Sequence, residues 1–127
     1  MKIEHIALYA TDLDAMKKFY EVYFSAKSND KYYNPKTGLE TYFLTFDEGS
    51  RLELMTRPDM VFQEKPLFRT GITHLAFSIG SKELVDQITQ RLKNDGYEVI
   101  SGPRTTGDGY YESCVLDPEG NQIEISI

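Results

Sequence analysis

With one cysteine, Cys114, the chain has no second thiol to pair with, so its 127 residues must be held together by packing and not by an internal disulfide. No window approaches the ~20 apolar residues that a membrane-spanning helix needs. Lysine and arginine never cluster: 14 of them stand against 20 Asp and Glu, a formal net charge of −6, which argues against a nucleic-acid backbone as partner. Low-complexity tracts are absent, and histidine occurs only twice, at His5 and His74. Lys2 and Glu4 interrupt what would have to be the apolar stretch of a signal peptide, which places the expected location in the cytoplasm. The lone thiol, in residues 113–116, reads as a small buried apolar side chain and not as a nucleophile, since no surrounding charge pattern activates it.

What is present is a composition of 40% hydrophobic and 27% charged residues with nine Tyr and seven Phe, that of one folded domain. Residues 2–10 alternate like a half-buried strand, Ile6 and Leu8 on one face and His5, Ala7 and Tyr9 on the other. Thr11-Asp12 then caps a helix whose Leu13, Met16, Phe19, Tyr20, Tyr23 and Phe24 form an aromatic underside. Further strands are predicted at residues 31–33, 40–46 and 51–56. Pro58 and Pro66 punctuate a linker over residues 58–71.

The pattern then starts again. Residues 72–79 alternate, Ser81 caps a helix with an apolar stripe of Leu84, Val85, Ile88 and Leu92, and Asp95-Gly96 closes it. Strands are predicted at residues 98–100, 110–116 and 121–127, the last two joined as a hairpin by Asp117-Pro118-Glu119-Gly120. The segment His5-Ile6-Ala7-Leu8 returns as His74-Leu75-Ala76-Phe77, so the chain is read as a duplication: module one at residues 1–57 and module two at 72–127 of a single domain.

Both histidines occupy the same place in their module, and each module ends in a strand with a glutamate between aliphatic residues: Leu52-Glu53-Leu54 and Ile123-Glu124-Ile125. All four side chains fall on the less apolar face of their strands. Two imidazoles and two carboxylates make an N₂O₂ donor set suited to Zn²⁺, Ni²⁺, Co²⁺ or Mn²⁺. Taken singly, each reads as a solvated glutamate or a structural histidine; the fourfold correspondence favours the metal. Arg104, in the glycine-rich stretch 102–109 that reads as a mobile loop, is either a clamp for a carboxylate or phosphate or a solvated loop residue. Tyr110 and Tyr111 point to opposite faces.

On these residues, together with Phe19-Tyr20 at the helix end and Asp117-Pro118-Glu119-Gly120-Asn121-Gln122-Ile123-Glu124, the chain resembles the vicinal oxygen chelate superfamily, and within it most closely glyoxalase I. The resemblance implies an α+β fold of two tandem βαβββ modules forming a curved mixed sheet cup around a metal site, and a homodimer. It implies His5, Glu53, His74 and Glu124 as metal ligands, and a lactoylglutathione lyase-like activity on the hemithioacetal of a 2-oxoaldehyde such as methylglyoxal. Glu124 would serve as catalytic base and Glu53 as its counterpart, with glutathione or another thiol as co-substrate. Two substrate-binding positions depart from the family pattern: Tyr9 stands where an Arg is common on the first strand, and Arg57 where an Asn is expected. Those departures leave the thiol open. The competing readings are a metal-dependent thiol transferase of the same superfamily, against which the extra Glu53 counts, and a metal-free drug-binding module, which typically lacks the ligand set.

Overall fold

The computed structural model describes the whole chain, Met1–Ile127. It divides into two compact units, Met1–Gln63 and Glu64–Ile127, each a mixed sheet carrying one helix. The fold is therefore α+β, built from two tandem modules.

In the first unit, strand β1 (His5–Tyr9) leads into helix α1 (Leu13–Phe24). The Asp12 carboxylate accepts from the Ala15 N–H at 3.0 Å and caps the helix start. Leu13, Met16, Phe19 and Tyr20 recur on one helical face and are buried against Tyr42 and Leu44 of β4 (Glu40–Thr45) and Leu52 and Leu54 of β5 (Arg51–Thr56). Burying each such side chain contributes about 1.5–3 kcal/mol. β1 pairs in parallel with β5, and β4 antiparallel with β5.

The strand expected at residues 31–33 is β3 (Tyr32–Tyr33), and an unexpected fragment, β2 (Lys27–Ser28), precedes it; both are antiparallel to β4. Asn29 causes the break. Its side-chain oxygen accepts from the Phe43 N–H at 2.8 Å while its own N–H donates to the Phe43 carbonyl at 3.2 Å, so one residue occupies both backbone groups and the next two loop out.

The second unit has the strand order β6-β9-β8-β7, with β6 (His74–Ser78) parallel to β9 (Gln122–Ser126) and β8 (Tyr111–Leu116) forming a hairpin with β9. The buried Asp117 carboxylate closes that hairpin by accepting from the N–H groups of Glu119 and Asn121, both at 2.9 Å. Helix α2 (Lys82–Asn94) starts at Ser81, whose hydroxyl accepts from the Leu84 N–H. It ends at Gly96, in the left-handed region at φ +92°.

Two expectations need correction. Leu84 is exposed, and Thr89 lies on the buried face with Val85 and Leu92. Thr89 can go inside because its hydroxyl is shared between the Val85 carbonyl and the Ser113 hydroxyl, each at 2.6 Å. Strand β7 (Val99–Thr105) also runs five residues past Ile100, absorbing the first half of the stretch read as a mobile loop. Gly102 makes this possible: at φ +76° a Cβ would stand 2.4 Å from the Glu112 carbonyl oxygen, so β7 closes onto β8 only with glycine there. The remaining turn is tied by the Thr106 hydroxyl, which meets the Asp108 carboxylate and accepts from the Tyr110 N–H at 3.0 Å. Tyr111 reaches Asp86 of α2 at 2.7 Å.

Gly102→Ala is expected to lose about 2 kcal/mol or more, a fall of roughly 6 °C in thermal midpoint. Asp14 supplies a pH test, since the Tyr42 hydroxyl (2.7 Å) and then Lys31 (3.2 Å) hold its carboxyl below the usual range. A depressed folded value contributes stability above the unfolded carboxylate's pKa and loses it as pH falls through the folded one. Asp14→Asn should thus lower the midpoint by roughly 3 °C at pH ~7, with the deficit vanishing near pH ~2.

Candidate metal centre

Strand pairing places the candidate ligands. In β1 and β5, Ala7 lies opposite Glu53, so His5, one pleat earlier on the same face, comes beside the Glu53 carboxylate. His5 Nε2 is 3.6 Å from Glu53 Oε2. Module two repeats the construction: Ala76 lies opposite Glu124, and His74 Nε2 is 3.4 Å from Glu124 Oε2. The His side chains are 40% exposed in both modules, their Glu partners 16% and 23%, so each pair is open to an arriving ion and backed by protein.

The other ring nitrogen of each histidine is engaged. His5 Nδ1 makes a short hydrogen bond to Glu4 Oε2, and Arg51 holds the Glu4 carboxylate from behind through Nη2 at 2.6 Å and Nε at 2.7 Å. The bond to His5, and then Arg51, keep the Glu4 carboxyl below the ordinary carboxylate range. Phe43 meets the His5 ring edge-on at 5.5 Å and carries the Arg51 guanidinium over its own face at 4.3 Å. His74 Nδ1 faces the Thr73 hydroxyl at 3.3 Å. With Nδ1 donating to the Glu4 carboxylate, His5 Nε2 presents its lone pair toward Glu53.

The donor chemistry fits a divalent ion. Separations of 3.4 and 3.6 Å exceed the usual N–H···O range. They approximate the edge, about 3.4 Å, of a tetrahedron with metal–ligand bonds of about 2.1 Å. Neither module adds a third His, Cys, Asp or Glu to its pair. Each pair offers one nitrogen and one oxygen donor.

Of the expected substrate contacts, Tyr9 and Arg57 come together. Tyr9 pairs with Met55 on the face that carries His5, and Arg57 follows two residues on. Asp59 grips Arg57 through Nε and, at 2.9 Å, through Nη2. Asp59 and then the Tyr9 hydroxyl raise the Arg57 pKa. Arg104 sits on β7 directly across from Glu112.

Sequence reading missed the residues around Glu124. Cys114 lies directly opposite it and is only partly buried on the same face, not packed among apolar residues as expected. Burial, then the charges of Glu124 and Glu112, push the thiol pKa up, which keeps it protonated and unreactive. Glu112 shares the face, its carboxyl raised by burial and then by Glu124, with Arg104 opposing. Gln122 completes the row, with its amide donating to the Leu67 carbonyl at 3.0 Å. The tight turn at residues 117–120 fixes the hairpin register, and counting back from it would have found this row.

Known proteins agree with this architecture. Protein YqjT of Bacillus subtilis strain 168, itself uncharacterized, is 28% identical over 130 residues, covering 97% of this chain and 96% of its own. A possible glyoxalase from Bacillus cereus superposes with a TM-score of 0.71 at 27% identity, over 100% of this chain and 99% of that one. Lactoylglutathione lyase from Agrobacterium tumefaciens gives 0.69 at 26% identity, over 98% and 91%. A family model matches residues 2–125, both modules included, and the chain belongs to the Glyoxalase/Bleomycin resistance protein/Dioxygenase superfamily.

Proposed function

We propose that the protein is a metal-dependent lyase or isomerase of glyoxalase I type, acting on the hemithioacetal of a 2-oxoaldehyde such as methylglyoxal with glutathione or another thiol. The observation that carries this reading is the His–Glu pair built twice, at 3.6 and 3.4 Å, with Nε2 aimed at a carboxylate each time. Likeness to a lactoylglutathione lyase at 26% identity supports the same class. In this reading the modules work as one domain in a homodimer, on a small molecule in the cytoplasm, and His5, Glu53, His74 and Glu124 are the ligands. A bound Ni²⁺, Co²⁺, Zn²⁺ or Mn²⁺ would supply Lewis-acid stabilisation of negative charge on the substrate oxygens.

The protein's own groups do the rest. Glu124 takes the proton from the carbon that bears sulfur and hydroxyl and returns it to the neighbouring carbonyl carbon, while the hydroxyl proton passes from the first oxygen to the second, so the product is a 2-hydroxy thioester with no net oxidation. Glu53 plays the corresponding part in module one. Glu4 holds the His5 imidazole in the tautomer that binds through Nε2, and the Thr73 hydroxyl orients the His74 ring. Tyr9, Arg57 and Arg104 are the substrate-binding side chains.

Protein purified without chelator or tag-borne metal should carry near-stoichiometric metal, and His74→Ala should lose most of it. Glu124→Gln should cut turnover of a methylglyoxal hemithioacetal roughly 10²–10⁴-fold while retaining the fold. Wild-type protein that cannot be loaded with Ni²⁺, Co²⁺, Mn²⁺ or Zn²⁺ would sink this proposal and leave a metal-free binding module. Glu4→Gln tests the support behind the ligand, with metal affinity expected to fall about 10–100-fold in an isothermal titration.

A further inference from the structure

Strand pairing allows the surroundings of the two histidines to be compared place by place, and they differ at every one. His5 lies directly opposite Arg51, and Glu53 opposite Phe43; the same places in module two hold Gln122, opposite His74, and Cys114, opposite Glu124. The residue before the histidine is Glu4 in one module and Thr73 in the other. The duplication keeps the His–Glu pair and changes what stands behind it.

In module one the change produces a chain of contacts that starts at Arg51. Its backbone N–H donates to the Glu4 carbonyl at 3.0 Å, and its guanidinium donates to Glu4 Oε1 through Nη2 at 2.6 Å and Nε at 2.7 Å. The Ser50 hydroxyl donates to the Ile3 carbonyl at 2.6 Å, so the approach to β1 is already laid along β5 before His5 is reached. Arg51 therefore grips both the main chain and the side chain of Glu4. It takes one carboxylate oxygen and leaves Oε2 for His5 Nδ1. Phe43 backs both partners, with the guanidinium over its face and the His5 ring against it edge-on. An exposed Arg–Glu pair adds little stability in water, so what this one fixes is a direction. A carboxylate only accepts, and a neutral imidazole bonded to it must carry its proton on Nδ1.

Module two has none of these parts. The Thr73 hydroxyl, 3.3 Å from His74 Nδ1, can donate to that nitrogen or accept from it, and so selects neither tautomer. Gln122 directs its amide nitrogen to the Leu67 carbonyl and its amide oxygen to the Cys114 thiol, both away from His74.

We propose that Arg51 is a positioning residue for His5: acting through Glu4, it keeps the imidazole proton on Nδ1 and turns Nε2 toward Glu53 before any ion arrives, whereas the His74 tautomer is left unset. The assignment rests on the proposed function for the role of His5 as a ligand, but the tautomer is readable in metal-free protein.

The test reads each ring through its nitrogen shifts in a long-range proton–nitrogen correlation spectrum of metal-free protein at pH ~8, where an ordinary histidine is neutral. His5 should carry its proton on Nδ1, and His74 should be a mixture. Arg51→Met should turn His5 into a mixture and leave His74 unchanged, while Arg51→Lys, a point charge without the fork, should keep part of the preference. In a calorimetric zinc titration Arg51→Met should weaken binding roughly 10-fold, and it should add nothing to Glu4→Gln, because both act through one bond. Thermal midpoints and the His74 signals confirm folding; should Arg51→Met not fold, Arg51→Lys carries the comparison. A wild-type His5 as mixed as His74, a preference that survives in the Arg51 variants, or losses that simply add in the double variant overturns the assignment. Protein that takes up no zinc while the His5 tautomer still follows Arg51 refutes the proposed function and supports Arg51 as the residue that sets this ring.

Discussion

Everything about the candidate site depends on parallel pairing between the first and last strand of each module. Parallel neighbours cannot be joined by a tight turn, so β1 reaches β5, and β6 reaches β9, only after the chain has crossed one sheet face through a helix. That crossing buries Leu52 and Leu54 in one module and Ile123 and Ile125 in the other. The alternation of a strand then sends Glu53 and Glu124 to the opposite face, together with the histidines of the neighbouring strands. Hydrophobic burial on one side thereby sets the placement of polar donors on the other.

The two modules reach similar His–Glu geometry with different supports. His5 is held by a carboxylate that is itself held by an arginine stacked on Phe43, whereas His74 has only a hydroxyl at 3.3 Å. A charged acceptor fixes a ring more firmly than a neutral one. The His–Glu pair of the first module is accordingly the more firmly held of the two. Around Glu124 the arrangement runs the other way, with Glu112 and Cys114 adding a second carboxylate and a thiol to the face, each with its pKa raised by burial and by Glu124.

How much of this was legible in the sequence follows from which signals are periodic. The helices, the last hairpin and the duplicated His and Glu positions were readable because each is written in a repeating pattern or a turn motif. Leu84 misled because helical spacing alone cannot tell which edge of an apolar stripe meets the sheet, and Thr89 looks polar until Ser113 is found opposite it. Asn29 broke a strand through a side chain that imitates backbone, which no hydrophobic pattern records. Gly102 looked like a loop residue because contact with the Glu112 carbonyl is a long-range fact. Cys114 needed register, not composition. The Arg57–Asp59 grip lay in plain sight as a two-residue spacing, but its meaning required geometry.

The broken strand β2/β3 has one more consequence. It lies at the outer margin of the first sheet, and in the second sheet β7 occupies the corresponding margin, with Pro103 offering no N–H and Gly102 distorting the ladder. Neither margin presents an uninterrupted row of donors and acceptors to a passing strand. The molecule therefore protects itself, by a bulge in one half and an imino acid in the other, against runaway strand-to-strand polymerisation along those margins.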